Sequence, residues 1–293
     1  MSWTRSIDRT LVHRDAIAEV LLTDLVQLSD TGFLVAAQWP RSHRVYRPDA
    51  DGRHDPMLIL ETVRQTGLAL SHFGFGVEFD QQSVMRDVGF DLDPETEPRA
   101  LQGATNLSIA VECRNIQRRS NGLRSMTVVL HFAADGAAFA VGTGTISWLS
   151  ARTYSALRAR SGAQTTAEVE PPNDNRPKPR GSGYRSAADA LIAPVPAAGP
   201  IRELMIPLGH PVYFDHPLDH APGMLLVDAA WQAAAALRGE QARLVGCLME
   251  CPAFTELNLT TSIELRPATG DTTQFSVEQG GRETASGMFR ISG

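Results

Sequence analysis

An α+β fold, with two antiparallel sheets each wrapped around a long central helix, is the class this sequence predicts. Three observations lead there. The composition breaks past the middle of the chain, two matching apolar helical segments lie on either side of the break, and strand-like stretches surround each segment.

The break comes first. From residue 159 to residue 200 the chain is rich in Pro, Gly, Ala and Ser and poor in large apolar side chains. Such a stretch buries too little surface to offset its ordering entropy and reads as a linker. It separates an N-terminal domain at 1–158 from a C-terminal domain at 201–293, both within the usual domain range.

The helical segments come next. His54-Asp55-Pro56 precedes MLILETVRQTGLAL, and His220-Ala221-Pro222-Gly223 precedes MLLVDAAWQAAAAL. Met57 matches Met224, Glu61 matches Asp228 and Gln65 matches Gln232 without a gap. Two such matches flanking a linker point to duplication. Apolar residues on nearly every face mark helices buried on most sides. Pro56 and the Pro222-Gly223 pair stand where helices begin.

Strands are expected at 18–28, 33–39, 107–114, 126–132 and 138–149 in the first half. In the second they are expected at 203–208, 243–250, 259–265, 274–279 and 286–291. Val, Ile, Thr and aromatics are frequent there, and Ala134-Asp135-Gly136 and Ser120-Asn121-Gly122 read as turns. A sheet around one buried helix in each half is a double hotdog, since wrapping takes the helix's apolar surface out of water. Gly142-Thr143-Gly144-Thr145 has neither the lysine nor the strand-to-helix context of a phosphate loop. Its glycines are expected to let a strand approach the helix closely.

The acid in each apolar helix is the sharpest chemical feature. Glu61 and Gln65 share a face at i,i+4, as do Asp228 and Gln232. Burial is expected to raise such a carboxyl toward neutrality, which suits a general base or acid. The plainer reading is a carboxylate that only accepts backbone hydrogen bonds. Arg64 is placed to hold the Glu61 charge or a substrate anion. His54 and His220 precede the two acids and are candidates to polarise a carbonyl or relay a proton; a surface loop role is the alternative. Arg41 and Arg44, with Arg47, form a cluster suited to a phosphate. Arg114, Arg118, Arg119 and Arg124 flank a hairpin, either to dock an acidic carrier protein or, more plainly, as a solvated face.

A net charge of −6 gives no argument for nucleic acid. The apolar runs are too short to span a bilayer, and MSWTRSIDRTLVHRD has no secretory apolar core, so a cytoplasmic protein is expected. The three cysteines, Cys113, Cys247 and Cys251, have no disulfide or zinc framework. No cofactor and no metal are expected, and the fused halves allow a monomer or a homodimer.

The run from Asp219 through His220, Pro222-Gly223, Asp228 and Gln232 to Ala233 resembles the signature of the A-factor biosynthesis (AfsA-like) family. So does the run from His54 through Glu61, Arg64 and Gln65. Val12-His13-Arg14 and Gln38-Trp39-Pro40-Arg41-Ser42-His43 are similar to family segments as well. The family usually has Glu where this chain has Asp228, and Arg where it has Trp231.

The resemblance implies a double hotdog that transfers a β-ketoacyl group. The donor would be an acyl carrier protein or coenzyme A thioester. The acceptor would be a hydroxyl of dihydroxyacetone phosphate, and the product a precursor of γ-butyrolactone or butenolide signals. Glu61 would be the general base, Arg64 or the Arg41/Arg44 cluster would hold the phosphate, and His220 would complete the site. Asp228 is the alternative acid, and Gln65 and Gln232 would touch substrate. A hotdog dehydratase or thioesterase is the competing enzyme class, and a non-catalytic acyl-binding protein is the competing non-enzyme class.

Overall fold

The structure is a computed structural model that describes residues 1–101, 103–119, 122–161, 187–193, 199–239, 242–268 and 270–292. The chain forms two compact units, Met1–Arg160 and Ser161–Gly293. Most of the expected linker, and the tip of the turn at 120–121, lie outside the described residues. Residues 187–193 also fall in the expected linker. They carry a 3-10 turn, Ala187–Asp189, and bury Leu191 and Ile192.

In the first unit the strands are β1 (Leu22–Gln27), β2 (Gly32–Trp39), β3 (Gln82–Leu92), β4 (Thr105–Arg119), β5 (Gly122–Ala134) and β6 (Ala137–Leu149). They pair in the order β1-β2-β4-β5-β6-β3, antiparallel throughout. Strand β3 is absent from the sequence expectation. Its outer half is only partly buried, and Arg86, Asp87 and Gly89 break its apolar pattern. The expected strand at 18–28 is shorter, because a 3-10 turn, Ile17–Glu19, precedes β1.

Helix α1 (Met57–Phe73) packs against β3, β5 and β6. Asp55 Oδ1 accepts from the Met57 N–H at 2.9 Å, satisfying one of the orphan donors of the first turn. Leu58, Ile59, Leu60, Val63 and Leu70 are at most 1% exposed, each burial worth about 1.5–3 kcal/mol. The β6 glycines make room for this helix. A Cβ on Gly142 would fall 2.5 Å from Val63 Cγ2, and one on Gly144 would fall 2.9 Å from Val63 Cγ1. Helix α2 (Ala151–Ser161) follows β6.

The second unit contains β7 (Ile201–Glu203), α3 (Gly223–Arg238), β8 (Arg243–Glu250), β9 (Thr261–Pro267), β10 (Thr272–Gln279) and β11 (Arg282–Ser292). Its antiparallel order is β8-β11-β10-β9-β7. Helix α3 meets β9 and β10 with a run of alanines, Ala229, Ala230, Ala233 and Ala234, all fully buried. Alanine has the highest helix propensity and the smallest side chain, so it favours both the helix and a close sheet. Trp231 turns its ring edge-on to Phe289 at 5.8 Å. Cys113 and Cys247 are buried, and burial pushes their thiols up, that of Cys113 to about 12.

Candidate active site

Glu61 lies in the second turn of α1 and is 2% exposed. Burial pushes its carboxyl up, but two guanidiniums outweigh that and hold it well below the usual carboxylate range. Arg14 Nη2 donates to Glu61 Oε1 at 2.7 Å. Arg64 donates from Nε to Oε2 at 2.9 Å and from Nη2 to Oε1 at 2.8 Å, in fork geometry. The expected rise toward neutrality is therefore corrected: this carboxylate stays ionised and is a weak base. Arg64 also donates to the Val12 carbonyl at 3.4 Å. Its Nη1 has no hydrogen-bond partner among the described residues, and its side chain is 21% exposed. Two guanidiniums thus face one carboxylate.

Gln65 closes the cluster from inside. Its Nε2 donates to Glu61 Oε1 and to the Glu19 carbonyl, both at 2.7 Å, and its Oε1 accepts from the Leu21 N–H at 2.9 Å. Both amide hydrogens are used within the clasp. The Glu19 carboxylate pairs with His43 Nε2 at 3.3 Å. His43 Nδ1 accepts from the Val45 and Tyr46 N–H groups at 3.2 and 2.9 Å. An open cleft of about 240 Å³ is lined by Leu21 together with residues 3–6, Val20, Thr23 and Gln38.

The second unit repeats this clasp. Gln232 Oε1 accepts from the Leu191 N–H at 2.9 Å, and its Nε2 donates to the Asp189 carbonyl at 3.1 Å and to Asp228 Oδ1 at 3.5 Å. The Asp189 carboxylate meets His210 Nε2 at 3.2 Å. His210 Nδ1 accepts from the Val212 and Tyr213 N–H groups at 3.2 and 3.3 Å. Gln232 thus makes the same set of contacts as Gln65. Asp228, fully buried, accepts a hydrogen bond from the Tyr213 hydroxyl.

Sequence reasoning missed His43, His210, Tyr213 and the Arg14 contact. A signal for the first three was present: His-x-Val-Tyr begins 18 residues before the acid in both halves, with no gap. In that register His54 matches Ala221, and His220 matches Arg53, so the two histidines are not equivalent.

His54 is 4% exposed and sits just before α1. Its Nε2 lies 2.7 Å from Thr105 Oγ1, and its ring is T-shaped against Trp39 at 5.2 Å. Trp39 and Thr105 are register partners on β2 and β4, so one cross-strand pair frames the imidazole. Trp39 Nε1 donates onward to Thr62 Oγ1 at 3.0 Å. His54 Nδ1 is buried with no hydrogen-bond partner among the described residues. Burial pushes its pKa down to about 4, so the ring is neutral near pH 7.

His220 is partly exposed and pairs with Asp219 at 2.7 Å. Arg41 and Arg44 are exposed on the loop that carries the buried His43. Arg118, Arg119 and Arg124 are exposed at the β4–β5 hairpin. Among the described residues no group of three His, Cys, Asp or Glu side chains is arranged to hold a metal. No described helix is long and apolar enough to cross a membrane.

Comparison with known proteins decides the family. The profile described as the A-factor biosynthesis hotdog domain matches residues 2–150 and 183–292. The chain belongs to the A-factor biosynthesis hotdog family. A 2-oxo-3-(phosphooxy)propyl 3-oxoalkanoate synthase from Streptomyces virginiae is 36% identical over 241 residues, covering 80% of this chain and 78% of the relative. A protein of the same name from Streptomyces coelicolor is 28% identical over 234 residues, covering 80% and 73%. Among solved structures, an acyl-ACP thioesterase from Bacteroides thetaiotaomicron superposes with a TM-score of 0.55 at 13% identity, covering 88% of this chain and 98% of that one. The 12:0-ACP thioesterase from Umbellularia californica gives the same TM-score and identity, covering 88% and 97%. These two likenesses establish the hotdog-type fold and nothing about activity.

Proposed function

We propose that this A-factor-family protein is an acyltransferase that joins a 3-oxoacyl group, supplied as a thioester, to a hydroxyl of dihydroxyacetone phosphate. The single observation that carries this is the 36% identical relative, aligned over about four-fifths of both chains, whose name describes that ester. Its 2-oxo-3-(phosphooxy)propyl half is dihydroxyacetone phosphate written as an alcohol residue. We read each unit as one hotdog, the halves being 1–158 and 201–293, with α1 and α3 as the two central helices.

In this reading the Arg14–Glu61–Arg64 cluster receives the phosphate. Glu61 fixes the plane of the Arg64 guanidinium and leaves Nη1 as the arm that meets the anion. Glu61 is then a positioning group and not the base. The proton carrier is His54, whose buried Nδ1 has no hydrogen-bond partner among the described residues. The acceptor hydroxyl oxygen bonds to the thioester carbonyl carbon as the C–S bond breaks. His54 takes the hydroxyl proton and returns it to the departing thiolate sulfur. Gln65, Gln232 and Asp228 maintain the clasps, and His220 takes no part.

The test is thiol release from a 3-oxoacyl thioester with and without dihydroxyacetone phosphate. Release that requires the acceptor supports transfer. Release at the same rate without it would mean hydrolysis and would remove the proposal.

A further inference from the structure

The function just proposed leaves the β4–β5 hairpin without a role. Elsewhere in the described residues arginines face acids: Arg114 pairs with Glu112, Arg266 with Glu264, Arg53 with Glu97, and Arg14 and Arg64 with Glu61. At the hairpin the pattern is different. Arg118, Arg119 and Arg124 are all exposed, and none has an ion-pair partner among the described residues. Arg118 pairs in register with Leu123 and lays its guanidinium over the Phe75 ring, 5.4 Å from the centroid. Arg119 pairs with Gly122, so a second charge stands at the tip, and Arg124 follows Leu123 on the facing strand. Three uncompensated cations at one hairpin, on a chain of net charge −6, are a local reversal of the molecule's sign. An unpaired exposed arginine contributes little to stability, whereas a basic patch steers an acidic partner and fixes its register.

The place also fits. Phe75 follows the end of α1, so the patch lies at the opposite end of the helix from its N-terminus. The proposed proton carrier His54 lies just before that N-terminus, and from Met57 to Phe73 the helix rises roughly 24 Å at 1.5 Å per residue. A partner docked here would present its thioester beside His54 only through an extended arm of at least about that length.

We infer that Arg118, Arg119 and Arg124 form the docking surface for an acidic carrier protein that delivers the acyl thioester on a flexible arm. The inference rests on the acyl-transfer reading. It separates a protein donor from a small soluble thioester, because only the protein needs the patch.

The experiment compares the wild-type chain with an Arg119→Glu/Arg124→Glu variant and with Arg118→Gln, which keeps a polar side chain over Phe75. Each is given the same 3-oxoacyl chain on a purified acidic acyl carrier protein and on N-acetylcysteamine. The expected result is a rise of about tenfold or more in KM for the carrier-bound donor, steepest at low salt, with N-acetylcysteamine turnover unchanged. Equal kinetics with the carrier-bound donor in wild type and variants would overturn the inference. Equal impairment with both donors would overturn it too, by showing a role outside docking. Titration of the carrier against each protein by calorimetry reads docking without turnover. Wild-type binding that the variants lose, in a protein with no transferase activity, would sink the acyl-transfer reading and leave the surface standing.

Discussion

A carboxylate shut away from water keeps its charge only when cations lie against it, and at Glu61 two of them do. Either guanidinium alone would answer the charge; both together leave Arg64 with an outward arm. The proposal gives that arm the acceptor's phosphate. Arg64→Gln is therefore expected to raise KM for dihydroxyacetone phosphate about tenfold, or ~1.4 kcal/mol, while KM for the thioester stays within about twofold. Steady-state kinetics with each substrate varied in turn check this. An increase confined to the thioester would assign Arg64 to the donor instead.

His54 carries a second prediction at this scale. Its folded pKa of about 4 lies below the unfolded value of 6.5. Between those values the unfolded chain binds a proton at this residue that the folded chain refuses. Stability is thus full above 6.5 and falls as the pH drops toward about 4, by on the order of 3 kcal/mol in total. Below that window the residue contributes no further change. Urea unfolding of wild type and His54→Gln at about pH 7.5 and about pH 4.5 reads the difference. The variant is expected to lose less stability across the interval, and an identical loss would contradict the assignment.

At the scale of elements, α1 and β6 are made for each other. Gly142 and Gly144 present bare backbone where Val63 arrives. Gly142→Val is expected to cost about 1–3 kcal/mol through overpacking, and adding Val63→Ala is expected to recover part of it. Urea midpoints of the two variants against wild type decide, and a fully additive double variant would show that the side chains do not compete.

These contacts also mark how far the sequence could be read. The two helices were legible because an apolar segment with one acid and one glutamine occurs twice. The His-x-Val-Tyr repeat was equally present, but its residues lie in loops, where no periodicity draws attention to them. The Arg14–Glu61 pair was not legible, since 47 residues separate its members and no local rule joins them. Strand β3 escaped because alternation fails along its partly exposed outer half. Residues 187–193 escaped for a different reason: they share the Ala-rich composition of a linker while supplying the Leu191 N–H and Asp189 carbonyl that Gln232 needs.

For the whole molecule, the same glutamine clasp in both units is what the proposed duplication of one hotdog would leave. The first unit sets paired guanidiniums around its carboxylate, one of them partly exposed, and that is why phosphate binding is assigned to it. The central claim is that an acyl group ends on a phosphorylated alcohol, and product mass spectrometry tests it most directly. With a defined 3-oxoacyl thioester and dihydroxyacetone phosphate, the account predicts a species whose mass is that of the 3-oxo acid and the phosphate joined with loss of water. Free 3-oxo acid alone, or unreacted thioester, would contradict it.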